Sequence, residues 1–372
     1  MNITKIVVKP LKLPLKKPYI WSQGVETAFF VNLIEVHSEC GKIGYGETTA
    51  APDVHAQAMV IQKITKSFIG QSVFDYSALM ASAYKANFLA FGANMPRYAN
   101  QIFSGLDMAC LDLQGKILGR PVWDLLGGSR REEVGYFDFL QGDTIEELVV
   151  HAKAAVSEGA RVIYLKVGIE PERDIEATRA VRAAIGSVRL RLDANEAWDP
   201  LLAIRMLKRL EPFEIEYIEQ PTASISLDAL KMVTDRSPIP IGADQAVFTL
   251  TDVYEAVKRG TCDMLAVGPR EIGGLRPMIK AAGIAEAAGL KICIHSSMTT
   301  GITTCAEHHV ARAIPNLDDG NQIMWQLLAE DIVDQPGLKP KQGVLSLMDA
   351  PGLGFTLKED VVSRYADAAL AS

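Results

Sequence analysis

The stretch Val162-Ile163-Tyr164-Leu165-Lys166 is a short apolar run that ends on a charged residue. Four later apolar runs also end on, or are followed at once by, a polar residue, namely Asp193, Glu219, Asp244 and His295. The successive steps are 27, 26, 25 and 51 residues, so the last step equals two of the others. One β-strand, one helix and two loops take roughly 25 residues, and the spacing therefore predicts parallel strands whose polar residues share one end of a barrel.

Composition and charge limit the classes of partner. Of the 372 residues, 48% are hydrophobic and 22% are charged, which is ordinary for a soluble globular protein. The formal net charge of -7 argues against nucleic acid as a partner, because that contact requires clustered Lys and Arg. No apolar run approaches the roughly 20 residues of a membrane-spanning helix, and Met1–Pro10 lacks a secretory pattern. We therefore expect a cytoplasmic protein that makes no membrane contact.

The cysteines show neither metal-binding nor disulfide spacing. They are an odd set without a CxxC or CxxH pair: Cys40, Cys110, Cys262, Cys293 and Cys305. We expect them to be reduced, buried and structural.

Residues 1–128 have the pattern of an α+β unit. Phe29–Val36 and Ile43–Glu47 are predicted strands, and the predicted helices that follow are Ala56–Phe68, Ser77–Leu89 and Tyr98–Leu118. The segment Lys12–Gln23, which holds two aromatic residues and two prolines, is predicted to be a loop able to cover a site. The tail at residues 331–372 is rich in Pro and Gly and is expected to return to this unit.

From Glu133 onward the pattern changes to alternating strands and helices. Val134–Phe139 is the predicted first strand of a barrel at residues 129–330, and helices are predicted at Thr144–Ser157, Glu172–Ile185, Pro200–Leu210, Ser226–Thr234, Leu250–Arg259 and Leu275–Ala288. Such alternation implies a parallel sheet covered by helices. We predict an α/β fold, a modified (β/α) barrel of the TIM type with an irregular eighth unit, capped by an α+β domain built from the N-terminus and the C-terminal tail.

Asp193, Glu219 and Asp244 offer oxygen ligands only. Hard oxygen donors suit Mg²⁺, with Mn²⁺ as the alternative ion. The other interpretation is that each carboxylate caps the helix that follows its strand. The regular spacing of all three favours the metal site.

Lys166 lies one strand before the first of these carboxylates. A neighbouring cation and a dry cavity would both lower its pKa toward the range in which lysine acts as a base. The alternative is a salt bridge between Lys166 and one of the carboxylates. A metal ion beside a basic lysine indicates a small carboxylate substrate that loses its α-proton, with the ion stabilising the resulting ene-diolate.

These residues stand in motifs that resemble the enolase superfamily. The motifs are Tyr164-Leu165-Lys166-Val167-Gly168, Asp193-Ala194-Asn195, Tyr217-Ile218-Glu219-Gln220-Pro221, Gly242-Ala243-Asp244 and Gly273-Gly274. The stretches Ser104–Leu113 and Leu125–Gly128 also match the helix and junction that precede the barrel in those proteins. The likeness is closest to the muconate lactonising and mandelate racemase-like groups, and it covers nearly the whole chain.

The resemblance implies a capping domain, a modified barrel and one Mg²⁺ bound by the three carboxylates. Lys166 matches the second lysine of the family's Lys-x-Lys signature, which implies that it is the base. Residues of the loops near Trp21 and Glu47, Trp21 among them, are implied to contact the distal part of the substrate. We also expect substrate contacts from Tyr164, Asn195, Gln245 and His295. Relatives of this kind are usually homo-oligomers, either dimers or octamers.

Three positions depart from the family pattern. Tyr164 replaces the first lysine of the signature, and Gln245 replaces an acidic residue. Gly268 stands where the lactonising relatives have a lysine and the mandelate racemase-like ones an aspartate, so one of two opposed proton carriers is missing. A single base can still remove an α-proton and release a β-hydroxyl from the same face. This arrangement resembles the cis-3-hydroxy-L-proline dehydratases, a lyase group whose product is Δ1-pyrroline-2-carboxylate.

Other functions stay open at this point. His295 is either a satisfied histidine of the pocket wall or a second proton carrier, although Met298 aligns with the catalytic histidine of racemase-like relatives. With Lys166 it would form the pair of a racemase or epimerase of an amino-acid derivative. Muconate-type cycloisomerisation fits Gly268 poorly, and a non-catalytic relative that only binds a carboxylate is the remaining alternative. His308 and His309 are expected to be structural or exposed.

Overall fold

Three antiparallel strands form the N-terminal sheet of the computed structural model, which describes residues 1–21, 24–49, 53–346 and 349–370. The strands are β1 (Ile3–Trp21), β2 (Gly24–Ser38) and β3 (Ile43–Thr49), in the order β1-β2-β3. The prediction of a loop at Lys12–Gln23 is wrong up to Trp21, because β1 pairs with β2 as far as Trp21, with a register shift between Pro14 and Tyr19. Ser22 and Gln23 lie outside the described residues.

Helices cover one face of this sheet. They are α1 (Val54–Ile64), α2 (Tyr76–Ala86), α3 (Phe88–Phe91), α4 (Pro96–Leu118) and α5 (Val122–Leu125), with short 3-10 helices at Thr65–Phe68 and Val73–Asp75. The long helix α4 packs on β3 almost backbone to backbone. A Cβ atom at Gly46 would lie 2.1 Å from the carbonyl oxygen of Gly105, so glycine is the residue that permits this approach.

Seven parallel strands follow, each leading into a helix. The strands are β4 (Asp138–Phe139), β5 (Val162–Lys166), β6 (Arg189–Asp193), β7 (Ile218–Glu219), β8 (Ile241–Ala243), β9 (Met264–Ala266) and β10 (Lys291–Cys293), hydrogen-bonded in chain order. The helices are α6 (Ile145–Ser157), α7 (Pro171–Ile185), α8 (Pro200–Leu210), α9 (Leu227–Thr234), α10 (Leu250–Arg259), α11 (Pro269–Ile272), α12 (Leu275–Ala287) and α13 (Gly301–Ala313). A 3-10 helix at Glu211–Phe213 follows α8. The predicted α/β fold with a capping sheet is confirmed, although the first barrel strand is shorter than the predicted Val134–Phe139.

An irregular eighth segment joins the two edges of this curled sheet. Leu317 forms a parallel bridge with Ile292 of β10, and Asn321 forms one with Tyr136 just before β4. The fully buried Arg191 of β6 reaches across the barrel interior to the Asp318 carboxylate and to the carbonyl oxygen of Gly320. The eighth position is therefore fixed by side-chain bonds through the interior as well as by short backbone pairing.

The C-terminal residues run back over the N-terminal sheet. The 3-10 helices Trp325–Leu327 and Pro336–Leu338, strands β11 (Val333–Asp334) and β12 (Thr356–Leu357), and helix α14 (Glu359–Leu370) complete the fold. The Ala369 carbonyl lies 3.0 Å from Nε2 of His55 in α1. No helix among the described residues is both long and apolar enough to cross a bilayer.

Candidate active site at the carboxyl ends of the barrel strands

Lys166, Asp193 and Glu219 are neighbours in the sheet register. Lys166 pairs with Asp193, and Asp193 pairs with Glu219, so the three side chains leave adjacent strands at one level. Asp244 follows the next strand, β8, and His295 follows β10. The regular spacing in the sequence thus corresponds to one rim of the barrel, with the three carboxylates between Lys166 and His295.

Lys166 forms an ion pair in this structure. Its Nζ donates to Oδ2 of Asp193 and to Oδ1 of Asn195, and the hydroxyl of Tyr164 donates to the same Asp193 oxygen at 2.7 Å. Burial would lower the pKa of Lys166, but the negative charges of Asp193 and Glu219 raise it above its usual value. Lys166 thus forms the salt bridge given above as the alternative, and the lowering of its pKa beside a bound cation stays a prediction.

Glu219 and Asp244 are buried carboxylates that repel their neighbours. Burial raises the pKa of Glu219 well above its usual value, and the charges of Asp193 and Asp244 raise it further. The pKa of Asp244 is also raised, again chiefly by burial. Carboxylates crowded in this way favour a bound cation, because the cation would offset both desolvation and repulsion.

The three carboxylates offer the oxygen ligands that Mg²⁺ prefers, but they are not already arranged as a complete coordination site. Within the described ranges, no three Asp, Glu, His or Cys side chains already converge as a metal site. Asp193 is engaged by Lys166 and Tyr164, whereas Oδ2 of Asp244 is buried with no hydrogen-bond partner in the part of the chain that the structure describes. An all-oxygen donor set on adjacent strands, including one unsatisfied buried oxygen, fits a hard divalent ion.

His295 lies on the other side of the carboxylates from Lys166. Its Nδ1 is 2.6 Å from Oδ1 of Asp244, and only 12% of its side chain is exposed. Burial would lower the pKa of His295, but Asp244 and Glu271 outweigh it and raise the pKa to about 9. The histidine is therefore part of the rim, and Met298 has a backbone in the left-handed region with φ 52°.

The position beside Gly268 is not empty. A Cβ atom at residue 268 would lie 2.4 Å from Oε2 of Glu271 and 2.3 Å from the carbonyl oxygen of His295. The sequence-based expectation of a vacant place opposite Lys166 is therefore wrong, because the Glu271 carboxylate fills the space that a side chain at residue 268 would take. The sequence pattern missed Glu271 because its carboxylate reaches back from the first turn after the strand.

The N-terminal hairpin brings aromatic residues to this rim. Tyr19 and Trp21 stack with ring centroids 6.3 Å apart, and Tyr19 also contacts Phe139 at 5.8 Å. The Lys166 ammonium lies 5.9 Å from the centroid of that Phe139 ring, and the Tyr19 hydroxyl is within hydrogen-bonding reach of it. The predicted contact residue Trp21 is half-buried, with an indole Nε1 that has no described hydrogen-bond partner.

Gln220 is a supporting residue that the sequence motif did not identify. Its Oε1 accepts from the backbone N–H of Asp244 at 3.0 Å and of Ala246 at 3.2 Å, and its Nε2 donates to the Thr222 carbonyl. Gln220 and Asn195 both have positive φ, 36° and 40°, which is uncommon for residues other than glycine. The strand ends are thus held in a strained geometry that orients Asp244 and Asn195.

Several predicted contact residues have other surroundings. Glu47 is only 2% exposed, and its carboxylate accepts from the N–H groups of Thr300 and Thr303 at the start of α13. The carboxylate therefore caps a helix, and a substrate contact from the segment around Glu47 stays a prediction. Gln245 is half-buried, with a side-chain oxygen that lacks a partner among the described residues.

The remaining histidine and cysteine predictions concern structural positions. His308 and His309 are buried in α13, where they bond the Tyr136 hydroxyl and the Trp123 backbone N–H. Both histidines are therefore structural and not exposed, which is the first of the two alternatives expected from the sequence. Four cysteines are buried and free as expected, but Cys40 is exposed.

Comparison with known proteins identifies the family. The family described as "Enolase C-terminal domain-like" matches residues 147–361, and "Mandelate racemase / muconate lactonizing enzyme, N-terminal domain" matches residues 3–127. An L-Ala-D/L-Glu epimerase of Clostridium acetobutylicum is 29% identical over 369 residues, covering 95% of this chain and 99% of the relative. A chloromuconate cycloisomerase of Cupriavidus pinatubonensis is 31% identical over 350 residues, covering 90% of this chain and 91% of the relative.

A solved structure supports the same assignment. The dipeptide epimerase of Enterococcus faecalis V583, complexed with Mg and the dipeptide L-Leu-L-Tyr, superposes with a TM-score of 0.86 at 28% identity, covering 96% of this chain and 100% of the other. Enzymes of this superfamily bind Mg²⁺. None of the relatives named here is a hydroxyproline dehydratase. The chain belongs to the mandelate racemase and muconate lactonising enzyme family of the enolase superfamily.

Proposed function

We propose that this protein is a racemase or epimerase that inverts the α-carbon of an amino-acid derivative with a free carboxylate. The observation that carries the proposal is the placement of two proton-carrying side chains, Lys166 and His295, on either side of three carboxylates at one barrel rim. Inversion requires one proton carrier on each face of a planar intermediate. The names of the relatives, an epimerase of Ala-Glu and a dipeptide epimerase, support the same reaction class.

Asp193, Glu219 and Asp244 are the residues that would hold Mg²⁺. When bound, the ion would supply positive charge that stabilises the negative charge developing on the substrate carboxylate. Lys166 as a neutral amine would take the α-proton from one face, and His295 as an imidazolium would return a proton from the other. Asn195, bonded to Nζ of Lys166, would keep the amine aimed at the α-carbon.

The test is α-proton exchange in D₂O with Mg²⁺, followed by proton NMR. Both α-configurations of Ala-Glu and of Leu-Tyr are suitable probes, together with N-acylated amino acids. The expected result is loss of the α-proton signal with formation of the opposite epimer. Lys166→Ala and His295→Asn should each slow inversion by about 10²–10⁴-fold. The exposed Lys258 provides a control, Lys258→Ala, that should retain the full rate.

An enzyme that exchanges no α-proton of any of these probes would contradict the proposal. So would a His295→Asn variant that still interconverts both configurations at the original rate. Mg²⁺-dependent thermal stabilisation separates a failed substrate choice from a failed metal site, since ligand binding to the folded state raises its stability.

Dehydration is the second candidate, because residue 268 carries no side chain to serve as a second base. Lys166 alone would remove the α-proton and then protonate a departing β-hydroxyl on the same face. The specific form of this candidate is conversion of cis-3-hydroxy-L-proline to Δ1-pyrroline-2-carboxylate. Under this mechanism Lys166→Ala is inactive while His295→Asn retains turnover, and the product has lost water instead of gaining deuterium in both configurations.

A further inference from the structure

We propose that Tyr164 is a positioning residue for the metal site, whose hydroxyl holds Asp193 in place when a cation displaces the Lys166 ammonium from the same carboxylate. The inference rests on one part of the proposed function, the assignment of Asp193 as a metal ligand, and not on the reaction catalysed. Tyr164 stands where the family signature has a lysine, so a neutral hydroxyl takes the place of a second ammonium.

The first observation is the direct bond between Tyr164 and the carboxylate. The Tyr164 hydroxyl donates to Oδ2 of Asp193 at 2.7 Å, and the tyrosine is only 1% exposed. A tyrosine hydroxyl has one hydrogen, which is used in this bond. Phe137 stacks on the Tyr164 ring with centroids 4.2 Å apart and an angle of 7° between the planes. The hydroxyl is therefore carried by a buried ring that an aromatic neighbour holds in one orientation.

The second observation is that Oδ2 of Asp193 accepts from two donors of different charge. Lys166 Nζ also donates to this oxygen and forms an ion pair with it, while Oδ1 accepts from the backbone N–H of Asn195 at 2.8 Å. The Lys166 ammonium would be repelled by a divalent cation at this carboxylate, because both are positive. The Tyr164 phenol would not be repelled, since it keeps its proton and stays neutral at physiological pH. On metal binding Lys166 would leave Asp193 and Tyr164 would stay.

The third observation is the level of the two donors along strand β5. Tyr164 and Lys166 are two residues apart, so their side chains lie on the same face of the strand. In the register with β6, Lys166 lies opposite Asp193. Tyr164 lies opposite Arg191, one step deeper in the barrel. The phenol thus supports Asp193 from the barrel interior, so release of Lys166 at the rim does not require Tyr164 to move.

The experiment is isothermal titration of Mg²⁺ into the purified full chain and its variants. Tyr164→Phe keeps the stacked ring and removes only the hydroxyl, and it should weaken Mg²⁺ binding by about 10–100-fold, the size typical of residues that orient metal ligands. Lys166→Met removes the other donor to Asp193. It should bind Mg²⁺ at least as tightly as the parent, because the ammonium that competes with the cation is gone. The matched control is Tyr136→Phe, which removes a buried hydroxyl that bonds His308 and should leave the affinity unchanged.

The difference in sign between the two donors separates positioning from a structural role, since general loosening of the rim would weaken Mg²⁺ binding in both variants. Equal affinities of Tyr164→Phe and the parent would overturn the proposal, and so would equal weakening in Tyr164→Phe and Tyr136→Phe. Weaker binding by Lys166→Met would overturn the displacement of the ammonium. A parent that binds no Mg²⁺ would refute the assignment of the metal ligands and the positioning role with it. A parent that binds Mg²⁺ but exchanges no α-proton would refute the proposed reaction alone, because the affinities decide the role of Tyr164 without a substrate.

Discussion

Gln220 connects two strand ends with a single side-chain amide. Its side-chain oxygen accepts from the backbone N–H groups of Asp244 and Ala246, its amide nitrogen donates to the Thr222 carbonyl, and the residue itself follows directly after Glu219. Two of the three proposed metal ligands therefore depend on one residue. The motif around Glu219 indicated a functional strand end, but a clamp between strands depends on three-dimensional pairing that a linear pattern does not contain.

We expect Gln220→Ala to weaken Mg²⁺ binding by about 10–100-fold, because residues that orient metal ligands typically have effects of that size. Isothermal titration of Mg²⁺ into the purified variant is the measurement. Gln62→Ala, an exposed position on α1, is the matched control and should bind Mg²⁺ as tightly as the parent. Equal affinities for all three proteins would remove Gln220 from the metal site.

Tyr19 is a second such residue, which the sequence placed in the covering segment Lys12–Gln23 without assigning it a role. It comes from the capping hairpin, its ring centroid lies 5.8 Å from that of Phe139, and its hydroxyl is within hydrogen-bonding reach of Lys166. We expect Tyr19→Phe to lower kcat by about tenfold with little change in KM, because the ring remains while a hydrogen bond to a charged group is lost. Steady-state kinetics on the exchanging probe is the measurement, and the exposed Tyr254 gives the control Tyr254→Phe. A change in KM alone would mean that Tyr19 contacts the substrate and does not orient the base.

At the scale of elements, the strand ends were predictable and the hairpin was not. Five of the barrel strands end on a polar residue or are followed by one within two residues, which gives a regular signal in sequence. These residues are Lys166, Asp193, Glu219, Asp244 and His295. The segment before Trp21 contains Pro14 and Pro18 and resembles a loop for that reason. In the structure β1 is the edge strand of its sheet, where a missing backbone N–H can be tolerated, so the prolines do not prevent the strand.

Gly268 permits the close approach of β9's end to the segment after β10. We expect Gly268→Ala to lower the free energy of unfolding by about 1–3 kcal/mol, because the new methyl group meets a backbone carbonyl that has little room to move. Gly283→Ala is the matched control on α12, where nothing lies within 4 Å of the new Cβ. That change should be neutral or stabilising by up to about 1 kcal/mol, since alanine is the better helix former. Urea unfolding of both variants measures the difference, and equal effects would contradict the steric argument.

At the scale of the molecule, the barrel and most of its rim residues followed from strand spacing, whereas the closure of the barrel and the position of Glu271 beside residue 268 did not. The eighth segment has almost no strand of its own and is fixed by Arg191 across the interior, a contact between distant parts of the chain. Glu271 was missed for a related reason. A pattern that assigns one functional residue to each strand end does not predict Glu271, because this residue lies in the turn after the strand. Its carboxylate fills the space beside Gly268 only in the folded structure.

The buried histidines of α13 couple the stability of the whole molecule to pH. Burial lowers the pKa of His308 to about 3 and that of His309 to about 4, against 6.5 for an ordinary histidine. Between those values and 6.5 the unfolded chain binds protons that the folded chain does not, so the free energy of unfolding falls as the pH falls through this window. Within this window each histidine contributes up to about 1.4 kcal/mol per pH unit to the slope of the free energy of unfolding against pH. Above pH 6.5 it contributes no slope.

A variant with both His308→Gln and His309→Gln should therefore lose less stability than the parent between pH 6.5 and pH 4.5, measured by urea unfolding at each pH. The buried carboxyls with raised pKa, Asp107 and Asp331, act in the opposite direction but are common to both proteins, so they cancel in the comparison. His151→Gln is the control, because the contribution of His151 to the pH dependence of stability has the opposite sign. The bond to Asp138 raises the pKa of His151, so its contribution is constant well below pH 6.5 and is lost as the pH rises through the folded-state pKa. Parallel stability curves for the parent and the double variant in the acid window would show that the α13 histidines are not buried in the neutral form.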